Sequence, residues 1–248
     1  MKKLIRSNIS HGILFGEKHS WKDWNIVPTT RPVISPPNPK LIKIEIPGAD
    51  GEIDLTEAVS NDVKYYNRIG SLEFQVENPS QWGEVYSEIM DYIHGQQMKA
   101  VLDDNPDYYY FGRFFVNEWK SEKNRSLIVI DYDLDPYKYE RYSSSEDWAW
   151  DSFNLETGII RNYRDIMIDG TYTLQIQPTR KVIVPIITVK QYNEADRISV
   201  RYGWGDTYVL ENGKNVIYEI KISTKNKYNM LTFSGKGVVT VEYRGARL

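Results

Sequence analysis

Cysteine is absent from the 248-residue chain. That excludes a disulfide framework, a thiol nucleophile and any thiolate-held metal. Histidine is nearly absent too: His11, His19 and His94 are too few for a histidine-rich metal centre. No apolar run reaches the roughly 18 residues that a membrane-spanning helix requires. The basic start Met1-Lys2-Lys3-Leu4-Ile5-Arg6 is followed by no apolar core and no small-residue cleavage site, so no secretory signal is expected. A basic excess is missing as well. Lys and Arg number 31 against 34 Asp and Glu, a net charge of −3 and the wrong sign for a general nucleic-acid binder. What is abundant is aromatic: 13% of the chain, with 19 Tyr and 7 Trp. Such residues suit strands and interfaces. A soluble, intracellularly made, β-rich protein of one large or two small domains is expected.

Five prolines fall within residues 26–40, IVPTTRPVISPPNPK. Proline fixes φ and lacks an N–H, so this segment reads as an extended arm or an edge, not a central strand. In LIKIEIPGADGEIDL, residues 41–55, Ile42, Ile44 and Ile46 alternate with polar neighbours. That pattern predicts a half-buried strand and a hairpin, with Gly48 and Gly51 as turn positions of positive φ. Residues 68–76 alternate again through Leu72, Phe74 and Val76. Asn78, Pro79 and Gln81 form a helix start, and Trp82, Val85, Tyr86, Ile89, Tyr92 and Ile93 follow at helical spacing. Gly95 stops it, so a helix is predicted over 79–94 with Ile89 on its buried face. Strands are predicted at 97–102, 108–119 and 125–133, the second heavily aromatic. The short polar run SSSED at 143–147 places a domain boundary near residue 140. Residues 1–139 carry 16 basic and 21 acidic side chains, net −5; the remainder carries 15 and 13, net +2. The second part shows strand-like runs at 171–177, 182–189, 197–202, 207–210, 216–222, 229–234 and 237–243, with Ser234-Gly235-Lys236-Gly237 as a hairpin loop. This spacing argues for a β-sandwich.

Little in the chain reads as chemistry. The alternating acids Asp50, Glu52 and Asp54 could be a calcium loop, but the glycine is misplaced for one, and a strand's solvent face gives the same pattern. Asp103-Asp104-Asn105-Pro106-Asp107 reads as a solvated turn. His11 and His19 stand near Asp23, Ser10 and Ser20, yet proximity in sequence does not make a triad. No Gly-x-Ser-x-Gly and no phosphate-binding glycine pattern occurs. Trp204 with Tyr202, and Trp148 with Trp150, are candidate sugar-stacking platforms; packing at a seam or a sheet edge is the plainer reading.

Three segments taken together resemble one family. HGILFGEKHSWKDWNIVPTTRPVISPPNPK, IPGADGEIDLTEAV and YSEIMDYIHGQQMKAVLDDNPDYYYFGRFFVNEWK resemble the opening of the distal tail (Dit) proteins of long-tailed phages and prophages of Gram-positive bacteria. The ending, LTFSGKGVVTVEYRGARL, resembles that family's last strands. Met1–Ser10 is a lead before the usual start, and Asn25 stands where the family has Gly. The resemblance implies a mainly β chain. Residues 1–140 would be a small β-barrel-like sheet with one helix, forming a hexameric ring. Residues 141–248 would be a galectin-like β-sandwich. It implies structural work at the virion tail tip after synthesis in the host cytoplasm, without catalysis or cofactor. Implied partners are the major tail protein, the tape-measure protein and the tail-associated hub or lysin protein, with DNA merely passing through and no membrane insertion. Ring contacts are expected from the proline-rich arm (Arg31, Pro32) and the aromatic strand (Tyr109, Phe111, Phe115), because interface cores favour aromatics. Part of the −5 excess, from Asp50–Asp62 or Asp103–Asp107, is expected on the channel wall, since a lumen poor in Lys and Arg would not hold phosphates. The alternative function is a carbohydrate-binding accessory module that contacts the host cell wall through the second domain.

Overall fold

The structure is a computed structural model that describes residues 11–76, 82–122, 125–146, 161–190 and 196–248. It is mainly β with one helix among the described residues, as expected. Two compact units divide the chain: residues 1–138 with Leu248, and Tyr139–Arg247.

The first unit contains β1 (Ile13–Phe15), β2 (Lys18–His19), β3 (Ile26–Pro28), β4 (Lys43–Glu45), β5 (Glu52–Asp54), β6 (Arg68–Val76), α1 (Trp82–Ile93), β7 (Gln96–Leu102), β8 (Tyr108–Glu122) and β9 (Arg125–Leu134). Its main sheet is antiparallel in the order β2-β1-β7-β8-β9-β6-β3. In β6 the side chains of Leu72, Phe74 and Val76 turn inward, while Ser71 and Glu73 turn out. β8 alternates likewise, with Tyr110, Phe114 and Val116 in the core. Its register shifts between Val116 and Glu118, a bulge that re-aims the strand. Phe15, Phe74 and Phe114 meet edge to face at the centre. α1 buries Ile89 and Ile93 completely and lays Trp82, Val85, Tyr86 and Met90 against the same core. Gly95 ends it at φ 73° and gives its N–H to Phe114 O. The helix start over Asn78, Pro79 and Gln81 lies outside the described residues. Asn25, where the resemblance led us to expect glycine, has φ 52°, a conformation asparagine tolerates.

The strand β10 (Lys138–Glu140) lies at the division. The second unit holds β11 (Ile166–Gln175), β12 (Ile186–Lys190), β13 (Ile198–Tyr202), β14 (Thr207–Leu210), β15 (Gly213–Val216), β16 (Met230–Glu242) and β17 (Ala246–Arg247). β11 pairs with β16 across its first ten residues. The other edge of β16 is shared, Leu231–Ser234 with β13 and Val238–Glu242 with β12. Ile168, Leu174, Ile187, Val200, Phe233 and Val241 fill the core between.

Two predicted elements differ. Residues 234–237 are not a hairpin loop; β16 runs straight through them. Gly235 and Gly237 have φ 130° and 153°, and a Cβ on Gly235 would meet Arg197 O at 2.1 Å. These glycines serve close backbone approach within a ladder, not a turn. Residues 216–222 are not a strand either. β15 stops at Val216, and beyond it within that run Ile222 alone bridges, to Ile183.

Candidate assembly surface

No group of three or more His, Asp or Glu that could hold a metal occurs among the described residues. The histidine near Asp23 and Ser20 is spent on structure. His19 Nδ1 accepts the Trp21 N–H at 3.1 Å, so Nε2 carries the proton and donates to Asp103 at 3.1 Å. Ser20 is fully buried and its Oγ accepts the Ile13 N–H. Asp23 accepts the backbone N–H of His19.

The Asp103–Asp107 turn is more than a solvated loop. Asp103 also accepts the Gly12 N–H at 3.0 Å. Asp104 holds His11 Nδ1 at 2.7 Å and the Arg31 Nε–H at 2.8 Å. The turn therefore clamps both the first strand and the proline-rich arm. Burial alone would push the Asp104 carboxyl up, but Arg31 and His11 more than offset this and hold it below the usual range. A lowered folded value stabilises above the unfolded carboxylate pKa of roughly 3.9 and is lost as pH falls through the folded value. Between pH 5 and pH 3 the melting temperature is expected to fall further in the parent than in Asp104→Asn. Parallel profiles would contradict the clamp.

Beyond Arg31 the arm stays pinned. Pro32 and Ile34 are buried, the Ser35 N–H donates to Tyr132 Oη, and Arg68 donates to Ser35 O. Thus Pro32 packs into its own subunit, while Arg31 remains largely exposed. The aromatic strand splits in the same way. Tyr109, Phe111 and Phe115 face away from the core and are half-buried, with Lys99 Nζ 4.8 Å over the Tyr109 ring.

After the Pro39–Tyr65 bridge, the chain runs into a feature the alternation misread. Among the described residues, β4 and β5 pair only with each other, Ile44 opposite Ile53 and Lys43 opposite Asp54. Neither strand is half-buried; every residue of both is exposed. Leu41, Ile42, Ile44, Ile46 and Ile53 are each 46–57% exposed. The turn is built as expected, with Gly48 and Gly51 at φ 84° and 79°. A lone two-stranded hairpin is marginal in water. Burying one such side chain is worth about 1.5–3 kcal/mol, so this hairpin is a surface that gains stability when covered. Of the acids considered for a channel wall, Asp62 is buried, whereas Asp50, Glu52 and Asp54 ride on the exposed hairpin.

In the second unit Trp204 is 80% exposed. Tyr202 does not join it as a stacking ring. It packs against the core, and its hydroxyl bonds Asn229 Oδ1, Lys221 O and the Asn226 amide. Trp148 and Trp150 lie outside the described residues.

No protein-family model and no curated protein sequence matches the chain. Solved structures do. The Dit protein of phage SPP1, described as a paradigm of hub adsorption apparatus in phages infecting Gram-positive bacteria, superposes with a TM-score of 0.61 at 12% identity, over 96% of this chain and 99% of that one. The baseplate of phage P2 in its activated conformation is also matched, at a TM-score of 0.39 and 8% identity, over 96% and 98%. The chain has the fold of a phage distal tail protein along nearly its whole length.

Proposed function

We propose that the protein is a structural component of a phage tail tip, a hub whose first unit closes into a ring, and that it is not an enzyme. The observation that carries this is the β4–β5 hairpin. It leaves five large apolar side chains about half exposed, and none of the five belongs to the unit's core. A second copy of the chain is the partner that the reading assigns to it. A ring contact is heterologous, so one subunit must offer two different faces. The hairpin is one; the outward aromatics Tyr109, Phe111 and Phe115 are the candidate other. The fold shared with SPP1 Dit supports the reading. Six copies, DNA passing through the centre, and the major tail, tape-measure and hub or lysin proteins as neighbours complete it. Negative-stain electron microscopy of the concentrated protein tests it: six-fold rings are expected, and single particles at every concentration would overturn it.

A further inference from the structure

Independently of the ring, we propose that the open edge of β6 is a strand-addition site and that its occupant is the chain's own basic lead, Met1–Ser10. One edge of β6 is taken, because β9 pairs along it from Arg68 to Gln75. The other edge is used only at its end. β3 pairs with Phe74–Val76, the Thr29 N–H then reaches Glu73 O at 3.0 Å, and beyond it the arm forms no ladder with β6. Backbone groups of a strand point to alternate edges, residue by residue. Glu73 O therefore marks the side on which the Glu73 N–H and the Ser71 N–H and C=O also emerge. Among the described residues none of these groups takes a backbone partner.

The arm does not cover this edge. A groove of about 460 Å³ lies between them, lined by Thr30, Arg31 and Val33 on one side and by Ser71, Leu72 and Glu73 on the other. Val33, Ser71 and Glu73 are exposed, and Pro32 in the wall has no N–H to offer. An unpaired edge of this kind is a template for an extended segment.

The lead begins beside that groove. His11, the residue that follows it, bonds Asp104 at 2.7 Å, and the same carboxylate holds Arg31 of the groove wall at 2.8 Å. Met1–Ser10 lies outside the described residues; fully extended, its length reaches about 33 Å, enough to cross the arm and run along the edge. A segment tethered so near has a high effective concentration there. Charge selects it as well. The lead carries Lys2, Lys3 and Arg6 and no acid. The face beside the edge is acidic: Glu73 belongs to β6, and Asp131 and Asp133 stand in register with Ser71 and Ile69. The wall's own cation, Arg31, is already held by Asp104. The lead contains neither Pro nor Gly, and its Leu4, Ile5 and Ile9 suit a strand. Ile69, 73% exposed on the same face as Ser71, offers them an apolar contact. The β4–β5 hairpin of a second copy fits this edge less well, because it would bring Asp50, Glu52 and Asp54 to an acidic face.

Hydrogen exchange of the full chain, read residue by residue, tests the proposal. The Ser71 and Glu73 amides should exchange slowly. Deleting Met1–Ser10 should speed both about tenfold or more, while Leu72, whose N–H faces β9, keeps its rate. Fast exchange at Ser71 and Glu73 in the full chain, or protection that survives the deletion, would overturn it. The absence of Cys allows a second readout: Ser71→Cys combined in turn with Leu4→Cys, Ile5→Cys and Arg6→Cys. Under mild oxidation at least one pair should close within a single chain. Bridges formed only between chains would give the edge to a neighbouring copy and overturn the proposal, as would no bridge in any pair.

Discussion

Glu140→Ala is expected to destabilise the second unit by about 3–5 kcal/mol, because it leaves a buried guanidinium unpaired. Glu140 and Arg161 face each other with side chains only 10% and 7% exposed, and their carboxylate and guanidinium are joined by hydrogen bonds. Glu140 also accepts the buried Gly245 N–H at 2.9 Å. Arg161 in turn lies 4.8 Å over the Tyr243 ring. Removing the carboxylate therefore strands a charge and a backbone donor together. Against a typical total of about 5–15 kcal/mol, the loss is severe. Replacing both members, as Glu140→Leu with Arg161→Met, should recover much of it, since apolar pairs of similar volume often substitute well. Urea unfolding of the single and double variants checks both statements. A single variant within about 1 kcal/mol of the parent would mean that water reaches the pair.

Phe114→Ala should cost the first unit about 3–5 kcal/mol. Phe114 is fully buried on β8, and its ring meets Phe15 edge to face at 5.2 Å. Phe15 in turn contacts Phe74 and Trp24. Truncation opens a cavity where strands from both ends of the unit converge, and rigid rings cannot collapse to fill it. Denaturant unfolding at constant m-value measures the loss; a change under about 1 kcal/mol would contradict this placing of the core.

The periodic parts of the fold were legible in the sequence. The helix, β6 and β8 follow from which residues repeat at 3.6 or 2.0, and the burial of Ile89, Phe74 and Phe114 agrees. Contacts distant in sequence were not legible. The Asp103–Asp107 turn resembles any acidic loop until the fold brings His11, His19 and Arg31 to it. Glu140 and Arg161 carry no local mark of being a pair. Alternation also cannot say whether a second layer exists to cover a strand. Ile42, Ile44 and Ile46 have the pattern of a half-buried strand, yet the described residues leave each of them about half exposed and outside the core. Glycines mislead in the same way. Gly48 and Gly51 make the turn expected of them, whereas Gly235 and Gly237 admit a neighbouring backbone. Trp204 was visible in the sequence as a candidate stacking ring, but the ring it meets is Tyr228. Tyr202, nearer in sequence, spends its hydroxyl on Asn229, Lys221 and Asn226.

The central claim is that the exposed hairpin is covered by another copy of the chain. Native mass spectrometry of the purified protein, beside an Ile44→Asp/Ile53→Asp variant, tests it most directly. The monomer is 29.0 kDa, so six copies give about 174 kDa. The account predicts the ring mass for the parent and 29.0 kDa for the variant, which should keep the parent's far-UV circular dichroism because neither isoleucine belongs to the core. A parent that remains at 29.0 kDa, or a variant that assembles as the parent does, would contradict it.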